Sequence, residues 1–162
     1  MGDLLSKAEY AALAKDISLP SKAFINGAFK PAISGKTFAT NNPATGDFLT
    51  DVAACSSDDV DFAVSNAKEA FEDGRWRSIS PRERKTVLLK FANLLESHQH
   101  ELAVLESLDS GKPVSECQLV DVPDTIHTLR WHAELIDKIY DNTAPVGSDA
   151  LTMVVREPIG VV

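Results

Sequence analysis

The sequence holds little of what several protein classes require. Only two cysteines occur, Cys55 and Cys117. That is too few for a disulfide framework, so a reducing cytoplasm is the expected setting. Lys and Arg number 16 against 24 Asp and Glu, a net charge of −8. A nucleic-acid binder needs a basic face, and anionic membranes attract basic segments, so both partners are disfavoured. No apolar run nears the roughly 18 residues of a membrane span. The opening "MGDLLSKAEY" has neither a basic stretch nor a long apolar one, so no secretory signal is visible. Gly2 and Ser6 have the spacing of a myristoylation signal, but acidic Asp3 follows Gly2 directly and argues against it.

What is present suits a globular domain. Hydrophobic residues make up 44% and charged residues 25% of 162 positions, enough for a packed core. Leu4, Leu5, Leu13 and Ile17 among polar residues predict a short amphipathic helix over 3–17. Asn26-Gly27 between apolar residues predicts a hairpin, because both turn positions need positive φ. "KTFATNNPATGDFLTDVAAC" reads as strand, turn, strand. Residues 23–55 are therefore expected to form one small antiparallel sheet.

Helices follow. Ser57 is a candidate cap, with Asp58 and Asp59 at the positive helix end. Val60, Ala63, Val64, Ala67 and Phe71 share one face, and Gly74 closes the segment. "SPRE" at 80–83 is a capping box with Pro at the first helical position. A further helix through Leu102, Leu105 and Leu108 stops at Gly111. From about 115 to 140, Leu119, Val122, Ile126, Leu129, Ala133, Ile136 and Tyr140 make a continuous stripe, with a kink expected at Pro123. "NTAPVGSDALTMVVREP" then reads as a long hairpin turning at 147–149. Such a ribbon either covers its own domain or augments a partner's sheet. The fold class is α/β.

Chemistry is sparse. "DSGKP" at 109–113 lacks the upstream Gly and the Ser or Thr of a phosphate loop and reads as a helix stop. His98 and His100 are two apart; on a helix they diverge, so both are expected to face solvent. Cys55 and Cys117 have no neighbouring group that would activate a thiol and read as packing residues. Asp121 and Asp124 share a helix face opposite the stripe, with Trp131 near the same line. Two readings stay open there: a solvated face, or a receptor for a cation.

The order of "FINGAF", "TFATNNPATG", "SPRER", "ESLDSGKP" and "REPIGVV" resembles the N-terminal third of the NAD(P)-dependent aldehyde dehydrogenase superfamily, over about residues 22–162. "FINGAF" and "RWHAELIDKIYDNTAP" look most like the bacterial branch acting on γ-glutamyl-aminobutyraldehyde or guanidinobutyraldehyde in polyamine breakdown. The resemblance implies small hairpins, a helical layer and the start of a Rossmann-like sheet. It divides the chain into 1–141, the N-terminal part of the cofactor-binding domain; 142–157, an oligomerisation hairpin; and 158–162, the first strand of the dinucleotide-binding sheet. The family forms a thiohemiacetal at a Cys, passes hydride to the nicotinamide and hydrolyses a thioester, yielding a carboxylic acid. Its nucleophilic Cys, general base and cofactor-binding residues match nothing here. No catalytic or cofactor-binding residue is assigned, and NAD or NADP is expected to be bound beyond Val162. The chain thus reads as a fragment of a longer cytoplasmic enzyme.

Other positions carry over. Thr40 and Asp109 match residues that hold a structural K or Na ion in many relatives; carboxylate and carbonyl oxygens suit such an ion. Asp109 bonding only nearby backbone is the plainer alternative. Asp121 and Asp124 match acidic residues at the substrate entrance that hold a cationic tail, implying an amino-, guanidino- or glutamylamino-aldehyde. The hairpin implies a homo-oligomer, dimer or tetramer. A second reading has the chain as a non-catalytic interaction module that uses the same exposed hairpin.

Overall fold

The computed structural model describes residues 3–162; Gly2 of the considered acylation signal lies outside them. Helix α1 spans Lys7–Asp16. Ser6 caps it reciprocally with Glu9: the Glu9 N–H donates to the Ser6 hydroxyl (3.3 Å) and the Ser6 N–H to the Glu9 carboxylate (2.8 Å). Its contact with the body is Tyr10, buried against α4 (Gln99–Ser110), where the phenol pairs with His100 Nδ1 at 3.1 Å.

Two ribbons follow. Strands β1 (Ala23–Ile25) and β2 (Ala28–Lys30) form a hairpin with Asn26 at φ 52° and Gly27 at φ 74°. The single sheet expected over 23–55 is not formed. β3 (Thr37–Asn41) and β4 (Phe48–Ala53) pair only with each other, with an irregularity between Thr40 and Asn41. The Ala53 N–H donates to the Ser21 carbonyl at 2.8 Å, which ties β4 to the segment before β1.

Helix α2 is Ser57–Glu72, and its cap is Ser56, one residue before the position expected from sequence. Asp59 decides this. Its buried carboxylate accepts from the Ser56 N–H (2.8 Å) and the Ile33 N–H (2.7 Å), fixing both the helix start and the β2–β3 connection. Those backbone donors, Ser56 first, hold its pKa below the ordinary aspartate range. Helix α3 (Pro81–Ser97) begins at the Ser80–Glu83 box.

The core lies where α3, α4 and α6 (Val122–Leu135) meet. Ala92, Ala103 and Ala133 are fully buried, so the backbones can approach closely, and Ile126 and Val122 fill the seam. At its edges Lys85 bridges to Glu134 (2.6 Å) and Asp137 (3.2 Å), and Arg130 bridges to Glu96 (2.6 Å).

The helix expected over 115–140 is broken. A single turn, α5 (Val114–Glu116), leads into a π-turn at Cys117–Asp121, where the Val122 N–H reaches back to the Cys117 carbonyl. Pro123 supplies the cause: it has no N–H for the Leu119 carbonyl, and its ring crowds that oxygen. The widened turn accommodates both. The extra residue rotates the register by about 100°. Cys117 and Gln118 therefore enter the core, while Leu119 and Val120 turn out to solvent. The stripe is not continuous, and it also ends early. The helix stops at Leu135, and Tyr140 stands exposed.

The last ribbon pairs β5 (Asn142–Ala144) with β6 (Thr152–Val154), Thr143 opposite Met153. Its substantial packing is with itself. Residues 158–162, expected to open a sheet, carry no ladder in the described structure. The molecule exposes 11580 Å², against about 7,900 Å² for a self-contained monomer of this length. No described helix is long and apolar enough to cross a membrane.

Candidate functional site

A concavity lies between the β3–β4 ribbon and the helical layer, with a volume of about 670 Å³. Its walls are apolar, drawn from Phe38 and Val52 on the ribbon, Leu102 and Leu105 on α4, and Ile126 on α6. Carboxylates interrupt them: Glu106 and Asp109 from the end of α4, and Asp121 from the end of the π-turn. Thr40, at the ribbon irregularity, lines the same cavity from the ribbon side.

Thr40, Asp109 and Asp121 thus line one cavity although 81 positions separate the first from the last. Asp124 does not line it and is exposed. Sequence spacing put Asp121 and Asp124 on one face opposite the stripe. The structure puts Asp121 beside Val122 and Ile126, because the π-turn precedes the α-helical register. Trp131 is exposed, with its indole edge-on to His132 at a centroid distance of 4.9 Å.

The loop after α4 brings a basic side chain, Lys112, to the cavity's carboxylates. Gly111 takes φ 75°, and a side chain there would meet Pro43 Cγ at 3.0 Å and the Ala44 nitrogen at 3.2 Å, so the loop lies against the β3–β4 turn. The Ser107 hydroxyl donates to the Lys112 carbonyl at 2.6 Å. With its backbone so held, Lys112 reaches Asp121 at 2.8 Å and Glu106 at 3.8 Å. The hydrogen bond to Asp121 raises the Lys112 pKa. Sequence reasoning missed this pair. The three-residue spacing of Glu106 and Asp109 could have flagged a shared acidic face, but nothing local signals a contact from Lys112 to Asp121.

Asp109 has no ion-pair partner among the described residues. No three His, Cys, Asp or Glu side chains gather as metal ligands among them either. An ion near Thr40 would depend on Asp109 and main-chain oxygens, a donor set of the hard kind that alkali cations take.

The thiols differ. Cys117 is fully buried, and burial first, then the negative charges of Asp121 and Glu106, push its pKa up, the reverse of an activated nucleophile. Cys55 is exposed rather than packed. The histidines also separate. His98 is exposed at the junction of α3 and α4, where it meets Glu101 at 2.6 Å. His100 is half-buried on Tyr10 instead of facing solvent.

Comparisons with known proteins converge. The profile described as "Aldehyde dehydrogenase family" matches residues 29–162. The chain is 66% identical over all 162 residues to an aminoacetaldehyde dehydrogenase of Pseudomonas aeruginosa, covering 33% of that protein. It is 43% identical over 149 residues to the NADP/NAD-dependent aldehyde dehydrogenase PuuC of Escherichia coli, covering 92% of this chain and 30% of the relative. The crystal structure of a gamma-glutamyl-gamma-aminobutyraldehyde dehydrogenase from Burkholderia cenocepacia superposes with a TM-score of 0.94 at 40% identity, covering 96% of this chain and 32% of that one. The chain spans about a third of the length of these relatives.

Proposed function

Since this chain belongs to the aldehyde dehydrogenase family, we propose that it forms the N-terminal part of an NAD(P)-dependent oxidoreductase. That enzyme converts an amino-, guanidino- or glutamylamino-aldehyde into the carboxylic acid. The observation that carries this reading is the 66% identity, over the whole chain, to an aminoacetaldehyde dehydrogenase. Support for a cationic substrate comes from the exposed carboxylate of Asp124, which has no ion-pair partner among the described residues, whereas Asp121 one turn before it is paired with Lys112. The reactive thiol and the coenzyme pocket come from other polypeptide, and Cys117, buried with a raised pKa, is no substitute. The NADP/NAD dependence named for the Escherichia coli relative supports NAD or NADP as oxidant.

Further assignments belong to the same reading. The 142–157 ribbon pairs across subunits of a homo-oligomer, supported by exposed Leu151, Met153 and Val154 and by strand edges that are unpaired among the described residues. Asp109 and Thr40 hold an alkali ion that fastens the β3–β4 ribbon to α4. The free thiols accord with a cytoplasmic setting.

The test is a chimera that joins this chain to the C-terminal two-thirds of the Pseudomonas aeruginosa relative. It should form NAD(P)H faster from 4-guanidinobutyraldehyde than from propionaldehyde, and Asp124→Asn should narrow the gap. Equal rates for both aldehydes, unmoved by that substitution, contradict the reading.

A further inference from the structure

We infer that Lys112 is a positioning residue that sets cation affinity by masking Asp121, leaving Asp124 as the open carboxylate. This rests on the proposed cationic substrate and goes beyond it: two acidic residues that look equivalent in sequence have unequal roles.

The geometry is specific. The Lys112 ammonium lies 2.8 Å from Asp121 and has Glu106 as a more distant second partner at 3.8 Å. Its backbone is pinned by the Ser107 hydroxyl and by the left-handed Gly111 packed under Pro43 and Ala44. The ammonium is therefore delivered to the π-turn rather than left to wander in solvent. Asp121 stands at the end of that turn, half-buried in the cavity wall. Asp124 is exposed and has no ion-pair partner among the described residues. An arriving alkylammonium meets a neutral Lys112–Asp121 pair and a bare Asp124.

Charge accounting makes the idea testable. Removing Lys112 uncovers a second anion, so cations should bind tighter. Removing Asp121 frees a positive charge, so cations should bind more weakly. Removing both restores the starting balance. If Asp121 were itself a direct contact, the double variant would instead lose affinity.

The experiment titrates the 162-residue chain with n-butylammonium, and with 1-butanol as the neutral control, following backbone amide shifts in α6. Lys112→Met should tighten n-butylammonium about two- to five-fold, the scale of one solvent-exposed ion pair. Asp121→Asn should weaken it by a similar factor. The Lys112→Met/Asp121→Asn double variant and Lys112→Arg should both match the unmodified chain, and 1-butanol should be indifferent throughout. Amides of α3 identify any variant whose fold has changed. The Lys112→Arg rescue then keeps charge separate from structure. A double variant as weak as Asp121→Asn overturns the masking role. An affinity that falls with Asp124→Asn but ignores Lys112→Met overturns the role of Lys112 alone. An affinity unmoved by Asp124→Asn, or no cation binding at all, overturns the substrate reading and this inference with it.

Discussion

Along α6, Val122, Ile126 and Ala133 are no more than 7% exposed, whereas on the β5–β6 ribbon Leu151, Met153 and Val154 are 57% to 77% exposed. Both segments are rich in apolar side chains. The difference is the neighbour. Helix α6 has α3 alongside, joined to it by Lys85 and Arg130 at the seam edges, while among the described residues the ribbon packs substantially on its own second strand alone. Hydrophobic character creates a demand for burial, and the local fold decides whether this chain meets that demand itself. Exposed Leu151, Met153 and Val154 belong to the surface by which the chain exceeds a self-contained monomer, and under the proposed reading they meet another subunit.

Substitutions can break that contrast. Ile126→Ala should cost about 2–5 kcal/mol in denaturant unfolding, as for a core residue whose site cannot collapse. A ribbon that lost as much from Met153→Ala would contradict the contrast. Gly111→Ala comes next. The strained φ and the contact with Pro43 and Ala44 should cost about 1–3 kcal/mol, read as a lowered urea midpoint; an unchanged midpoint would mean the loop is not held against the β3–β4 turn.

Acid should act on the helical layer and on Asp59 rather than on the ribbon. The Ser56 and Ile33 N–H groups depress the Asp59 pKa, and Lys85 depresses that of Glu134. A depressed carboxyl contributes stability that is fully present above its unfolded pKa, about 4, and is lost as pH falls through the folded value. Asp59→Asn should flatten part of the stability–pH slope below about pH 4. A slope identical to that of the unmodified chain would mean that Asp59 is not held as described. Met153→Ser should be the mildest change, within about 0.5 kcal/mol for the isolated chain. It should nevertheless reduce any self-association seen by sedimentation. A large loss of stability would show that the ribbon packs on the body.

Signals carried within a few residues were readable from sequence. The Ser80–Glu83 box, the Asn26-Gly27 turn and the Gly111 stop each depend on one local conformational demand, and the structure shows all three. What was not readable depends on contacts across the chain or on a change of helical period. The stripe expected through Leu119 to Tyr140 fails because Pro123 enforces a π-turn that changes the phase. The cap moves from Ser57 to Ser56 because the Asp59 carboxylate takes the Ser56 N–H, and the same carboxylate also bonds Ile33, 26 residues away. Thr40 and Asp109 were picked out by resemblance and Asp121 by helix spacing as well, and their shared cavity emerges only on folding. The Lys112–Asp121 pair has no sequence signature. It needs a left-handed glycine and a widened turn together.

The most direct test is steady-state NAD(P)H formation by the purified 162-residue chain, supplied with NAD or NADP and 4-guanidinobutyraldehyde. The account predicts no turnover until the remaining two-thirds of a family enzyme is joined to it. Sustained coenzyme reduction by the chain alone would contradict it.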